Sequence, residues 1–312
     1  MVSPLVYGAV KSVFDGLLVG SLYGLMALGL TLIFRVTRIA NFAYAEYLTY
    51  AGYAAAFVSA MLSGVTAFVA ALLTAAFVGA IISLLSDELA FKPLWLRGAD
   101  SLTLLVASMG VGFVLRYSLM GMAVFENWPL EIQPHVPKSI LFTLGGIAYF
   151  STAHAAAIIA AVATSVFMHW LFTRTRTGKA MRATASNPVL ARISGINIYY
   201  VRRITWLLAG AVGGVAGFLY SYRNPMNPES GWLMLLWIFS AAIMGGFTFF
   251  GSLISGIILG LAENLVAFFL YQFFGISTAY SPVIALAALV VVLLFKPEGV
   301  IRLETHMLRK RV

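Results

Sequence analysis

The sequence predicts an all-α, polytopic membrane protein with eight or nine transmembrane helices, some of them discontinuous or re-entrant. Three observations predict it. The 312 residues are 61% hydrophobic and only 10% charged, against roughly 25% charged in soluble chains. The apolar runs are long and do not alternate, which favours helices over barrel strands. The net charge of +9 sits mostly in one central stretch and in a tail, Arg302 to Arg311. That placement reads as membrane topology and gives no support to nucleic-acid binding.

Composition also excludes chemistry. With no cysteine, disulfides, thioether haem attachment and thiolate metal sites are ruled out. Gly178-Lys179 is followed by Ala180 and lacks the earlier glycine of a phosphate-binding loop, so the chain is not expected to hydrolyse ATP itself. The first apolar stretch exceeds a signal-peptide core, and no cleavable leader is expected.

A bilayer core of about 30 Å needs about 20 apolar helical residues. Gly16 to Phe34 is charge-free and makes the first span, extended back past Asp15; Arg35 and Arg38 mark a turn. Tyr47 to Ser86 runs 40 residues without a charge, roughly twice what one crossing needs. It must break, and Ser63-Gly64 is the place. With Ile39 to Glu46 upstream, this gives spans two and three. Asp87 to Asp100 reads as a charged connector, and Ser101 to Phe125 as span four, interrupted by Arg116. Glu126 to Lys138, with three prolines, reads as an external loop. Ile140 to Phe150 is apolar but glycine-broken, a surface or re-entrant piece. Ala153 to Thr173 is span five. Ile204 to Tyr222 is span six, where Gly210, Gly213, Gly214 and Gly217 allow close helix approach. Arg223 to Ser230 is a second external loop. Ser230 to Ala262 is again too long for one crossing and breaks at Gly245-Gly246…Gly251. Asn264 to Phe295 turns once more around Gly275 to Pro282. Parity favours nine crossings, or eight if Trp232 to Gly245 re-enters.

The stretch from Arg174 to Arg203 organises the chain. It holds seven Lys/Arg and no Asp or Glu, so it should face the cytoplasm with the C-terminal tail. Ser186 and Asn187 are N-cap residues, Pro188 suits a first turn, and Gly195 suits the position past a helix end. Two turns of helix, Pro188 to Ser194, can then carry Val189, Leu190 and Ile193 on one side, with Arg192 beside them. Two readings stay open here: a docking knob for a soluble partner, or a loop whose arginines only anchor the flanking spans.

No catalytic or metal-binding constellation emerges. His154 and His169 share one span without a nearby carboxylate and read as packing histidines. Ionisable residues inside spans are costly and default to functional hypotheses; Asp15, Glu46, Arg116 and Glu263 qualify. Asp15 reads as a span-end residue. Glu46, a turn and a half from Asn41, serves either in gating or in an ion pair with Arg35 or Arg38. Arg116 needs a counter-charge, for which Glu263 is the candidate, in a structural interhelical pair. The break at Gly245, Gly246 and Gly251 either exposes backbone to a pathway, as broken transporter helices do, or serves close packing.

Several local patterns resemble one family along nearly the whole chain. They are Ile39-Ala40-Asn41-Phe42-Ala43…Glu46, Phe91-Lys92-Pro93-Leu94, Gly178-Lys179-Ala180-Met181-Arg182-Ala183, Ala191-Arg192-Ile193-Ser194-Gly195-Ile196, Gly245-Gly246…Gly251-Ser252…Gly256…Gly260-Leu261-Ala262-Glu263, and Lys296-Pro297-Glu298-Gly299. The family is the membrane-spanning permease of prokaryotic ABC importers for branched-chain amino acids, to which urea and short-amide importer permeases are similar. The chain departs from the family pattern at Tyr44-Ala45, where His-Gly is usual, and at Phe247-Thr248-Phe249-Phe250, which lacks an extra glycine and proline. The resemblance implies one permease domain over 1–312 in the prokaryotic plasma (inner) membrane. It implies that the 174–203 loop docks into separate ABC ATPase subunits, which use the ATP, so this chain needs no cofactor and is not an enzyme. A second permease subunit and an extracytoplasmic substrate-binding protein complete the set of partners, besides membrane lipid. The expected cargo is a branched-chain or other apolar amino acid; urea or short amides, or a stand-alone facilitator or channel, are the alternatives.

Overall fold

The computed structural model describes residues 4–144, 148–277 and 280–295. In chain order the elements are α1 (Pro4–Thr37), α2 (Tyr44–Ala60), α3 (Gly64–Ser86), a π-helical turn (Asp87–Phe91), α4 (Lys92–Leu96), α5 (Ser101–Phe125), β1 (Ile140–Leu144), β2 (Ala148–Ser151), α6 (Thr152–Arg174), α7 (Arg176–Ser186), α8 (Pro188–Ile193), α9 (Ile198–Arg223), α10 (Ser230–Met244), α11 (Phe249–Phe274) and α12 (Ser281–Phe295). Among the described residues, six helical stretches are long and apolar enough to cross a membrane, and α10 and α12 are shorter apolar helices. The protein is an all-α polytopic membrane protein with one small hairpin.

Both long apolar runs break where the sequence requires. Gly64, with φ +62°, opens α3 after the turn that follows α2. Gly246 and Phe247, at φ +59° and +50°, separate α10 from α11. Other expectations are corrected. Most of Asp87 to Asp100 is not a connector: α3 continues through the π-helical turn into α4, keeping Asp87, Glu88 and Lys92 on helix and leaving only Arg97 to Asp100 as the link to α5. Ile140 to Phe150 supplies most of an antiparallel hairpin, β1 with β2, because β-branched and aromatic residues flank its glycines. The 174–203 loop is two helices, α7 and α8, and its last six residues already belong to α9. The basic tail from Lys296 onward, with the Lys296-Pro297-Glu298-Gly299 motif, lies outside the described residues.

The chain folds as two compact units. One comprises the described parts of Met1–Leu28, Pro137–Ser165 and Leu236–Val312; the other comprises Gly29–Val136 and Val166–Leu235. In the first, α1 and α11 pack antiparallel along a glycine seam: Gly16 meets Gly260, Gly20 meets Gly256, and Gly24 meets Leu253. A Cβ at Gly20 or Gly260 would run into the opposing backbone, so only glycine permits this approach. In the second unit, α2, α3 and α9 form the core. Gly79 of α3 lies on Gly210 and Gly214 of α9, while Gly217 of α9 lies on the Leu48 backbone of α2. The glycines of span six thus serve two neighbours at once. The two predicted external loops are joined by a backbone bridge, Ile132 and Met226 exchanging N–H···O bonds of 2.9 Å.

Candidate functional site

The basic loop forms a shelf of two short helices, α7 and α8, between the end of α6 and the start of α9. Thr175 caps α7 by accepting from the Gly178 amide at 3.0 Å. Gly178 itself lies against the Leu171 and Phe172 backbone, where a Cβ would collide. Arg182 donates to the Phe172 carbonyl, and Met181 is fully buried. The Gly178-to-Ala183 motif therefore clamps α7 onto the end of α6. Asn187 caps α8, its Oδ1 accepting from the Val189 and Leu190 amides at 3.0 Å each. Ser186 is the last residue of α7 and not a second cap. Gly195 ends the motif at φ +82°, the left-handed conformation that glycine adopts freely.

On this shelf Ala191 faces inward, while Val189, Leu190 and Ile193 are 66%, 60% and 77% exposed. Exposed apolar side chains on an ordered, doubly capped segment form a surface that can be covered by a groove. Ser186, Asn187, Pro188, Arg192 and Gly195 are also exposed around it.

A second cluster surrounds the start of α2. Residues 38–43 are non-helical, with Arg38 at φ +58°. The Phe42 amide donates to Ser108 Oγ at 3.0 Å, and Asn41 Nδ2 donates to Tyr47 Oη at 3.2 Å. Glu46, only 2% exposed, takes Arg116 on Oε1, with Nη2 at 3.2 Å and Nε at 3.3 Å. Arg116 also lies over the Trp232 ring at 4.6 Å, which shares the cost of burying its charge. Asn41 Oδ1 and Glu46 Oε2 are buried without a hydrogen-bond partner among the described residues. The Tyr44-Ala45 departure fits locally. The Tyr44 hydroxyl lies against Gly29 and Gly213, positions where added Cβ atoms would crowd it, and the Ala45 carbonyl meets Gly231.

The expected counter-charges are therefore exchanged. Arg116 pairs with Glu46 and not with Glu263; Glu46 pairs with Arg116 and not with Arg35 or Arg38. Glu263 instead accepts from Tyr23 Oη at 3.0 Å, and Tyr23 stacks on Trp237 at 5.7 Å. His154 does have a carboxylate neighbour, Asp15 Oδ1 at 3.6 Å from Nε2. In each case a partner far along the chain is chosen by helix packing, which local spacing does not reveal.

The glycine break closes on itself. Thr248 Oγ1 donates to the Gly245 carbonyl at 2.9 Å and accepts from the Gly251 amide at 3.1 Å. Phe247 N returns to the Ala242 carbonyl, and Gly245 and Gly251 are in mutual backbone contact. These backbone groups are satisfied within the turn, so close packing accounts for the two glycines in this conformation. The strain sits at Phe247, a non-glycine residue at φ +50°, whereas Gly246 takes its left-handed φ freely.

Sequence reasoning missed one pair. Asp87, fully buried on the π-helical turn, binds Arg202 through both oxygens, at 2.8 Å each from Nε. Glu88 next to it pairs with Arg203 and Lys92. Phe91 stacks on Trp206 at 5.0 Å, and Ser83 Oγ donates to the Trp206 carbonyl at 2.8 Å. An acidic doublet meeting a basic doublet was the available signal.

Comparison with known proteins adds sequence relationships to this geometry. The family described as branched-chain amino acid transport system, permease component, matches residues 12–293. The chain is 31% identical over 309 residues to the probable branched-chain amino acid transport permease LivH of Methanocaldococcus jannaschii, covering 96% of this chain and 95% of that one. It is 28% identical over 309 residues to the high-affinity branched-chain amino acid permease LivH of Escherichia coli, at 93% and 94% coverage. It is 29% identical over 315 residues to BraD of Pseudomonas aeruginosa, a permease of the same description, at 96% and 97%.

Proposed function

The chain belongs to the permease-component family of branched-chain amino acid transport systems, and from that membership we propose that it is the membrane-spanning subunit of an ATP-driven importer for branched-chain or other apolar amino acids. It conducts solute and catalyses no reaction of its own; separate ABC ATPase subunits hydrolyse the ATP. The 174–203 shelf and the tail face the cytoplasm, and the bridged loops around Ile132 and Met226 face outward, where a substrate-binding protein delivers cargo. A second, related permease completes the pathway.

The observation that carries this reading is α8: three apolar side chains held open on a capped helix, next to α7, which the Gly178 motif clamps onto α6. Such a surface is suited to filling a groove on an ATPase chain. On the same reading Asn41, Glu46 and the Gly245–Gly251 turn belong to the moving parts of the pathway. The spare buried acceptors Asn41 Oδ1 and Glu46 Oε2 and the strained φ angle at Phe247 support that role.

The test is uptake of radiolabelled leucine into liposomes holding this chain with its ATPase, its second permease and its binding protein. ATP-dependent uptake that leucine saturates and urea does not is the expected result. Equal flux without the ATPase would make the chain a facilitator and contradict the proposal.

A further inference from the structure

Two helices long and apolar enough to cross a membrane, α1 and α6, end at Thr37 and Arg174. Both ends lie in the second unit, and they are joined there. Arg35 of α1 lies 4.4 Å over the Phe172 ring of α6. Arg182 of α7 lies 5.9 Å from the centre of the same ring and donates to the Phe172 carbonyl. Four further bases flank this joint: Arg38 just past α1, Arg174 closing α6, and Arg176 and Lys179 at the start of α7. All four are exposed. None makes an ion pair or a side-chain hydrogen bond with another described residue, and no Asp or Glu occurs between residues 174 and 203. On α6 the same face carries Phe167 and Trp170, 45% and 54% exposed with rings 6.3 Å apart. They precede Arg174 by seven and four residues, which places all three on one side of the helix.

We propose that the joined ends of α1 and α6 hold an anionic phospholipid, its head-group phosphate on Arg38, Arg174, Arg176 and Lys179. Exposed bases just beyond the apolar length of two helices meet the head-group layer of a bilayer, where basic clusters attract anionic lipid. The guanidinium fork suits a phosphate, and Lys179 adds a point charge. Phe167 and Trp170 cover the glycerol and upper acyl region, the level at which aromatic side chains border a membrane. That continuity decides between a lipid and an acidic protein surface. A soluble ATPase chain could answer the charges, but it would leave the aromatic face of a membrane-crossing helix uncovered. Orientation rules account for the sign of this loop; they do not account for bases from segments 136 residues apart, Arg38 and Arg174, being brought to one joint. The site stands on membrane residence alone, so it holds whatever the cargo is and whether or not α8 docks.

The experiment uses the full chain in nanodiscs of phosphatidylcholine, with phosphatidylglycerol added in rising mole fraction and retained lipid read by native mass spectrometry. Saturable retention of phosphatidylglycerol over phosphatidylcholine is expected, and it should weaken as salt is raised. Arg174→Gln with Arg176→Gln should raise the mole fraction at half-occupancy by about tenfold or more. Arg38→Gln with Lys179→Gln should do the same from the other side of the joint. Arg174→Lys with Arg176→Lys keeps the charge and should hold retention within about threefold of the parent. These substitutions fall on exposed side chains and leave the other bases of the loop to set orientation. Equal retention of the two lipids, or retention unmoved by both glutamine pairs, would overturn the proposal. So would glutamine pairs that lose ATPase association in the assembled complex while retaining phosphatidylglycerol normally, which would give the bases to the partner protein.

Discussion

Two buried ion pairs lie in the same unit and differ in how fully each carboxylate is used. Asp87 gives both oxygens to Arg202. Glu46 gives one oxygen to Arg116 at longer range, and Glu46 Oε2 has no partner among the described residues. Around the first pair, Phe91, Trp206 and Ser83 close the packing; around the second, α2 begins from six non-helical residues. The difference teaches that charge within a span is two signals. A fully engaged pair fixes a helix, whereas a half-engaged pair can trade partners at less cost. Asp87–Arg202 pins the start of α9, the helix that follows α7 and α8, and Glu46–Arg116 stands where the backbone is already irregular.

This contrast can be broken most forcefully at Arg202. Arg202→Leu strands the Asp87 charge in a dry site and should cost about 3–5 kcal/mol, read as lost folded yield and a lower melting temperature in detergent. Replacing both partners by apolar residues should recover much of it. A single variant as stable as the parent would dissolve the distinction.

The next effect is at the helix break. Gly246→Val puts a β-branched residue at φ +59°, straining the turn by roughly 1–3 kcal/mol. Uptake per inserted protein should fall sharply, and parental uptake would reduce the break to packing alone.

Glu46→Gln should be gentler on stability, because the amide oxygen can still accept from Arg116. It should melt above Asp87→Asn, slow transport, and leave cargo affinity of the binding protein unchanged. A melting order reversed between these two variants would invert the comparison. The smallest effect is at the cap: Asn187→Ala should cost about 1 kcal/mol of local order in α8, seen as faster amide exchange at Val189 and Leu190 with the spans unaffected.

Much of this was legible in the sequence because it depends on local chemistry. Gly64 and Gly246 mark breaks since they take φ values that other residues resist. Asn187, Pro188 and Gly195 delimit α8 since each answers a need of a helix terminus. The unread parts depend on three-dimensional choice. Arg116 has two buried carboxylates to consider, Glu46 and Glu263, and helix packing selects the first. Asp87 reads as the start of a connector because a charge after a long apolar run usually ends a span; the π-helical turn keeps it on helix and Arg202 allows its burial in the protein. The 140–150 hairpin was hidden by apolar residues that suit strand and membrane surface alike. Within α7, Gly178 belongs to a recognisable motif, but the reason for a glycine there, contact with the Phe172 backbone, lies in the packing of α7 on α6.

The central claim is that α8 seats in an ATPase chain, and the cysteine-free sequence permits a direct test. A single Ile193→Cys substitution carrying a short photoactivatable crosslinker should capture the ATPase subunit in the assembled complex, and nothing else at comparable yield. The companion Ile193→Asp should insert normally yet lose ATPase association and uptake, because a charge buried in an apolar groove has no partner. No crosslink to the ATPase, together with parental uptake by Ile193→Asp, would contradict the account and leave α8 as an anchor for the flanking spans.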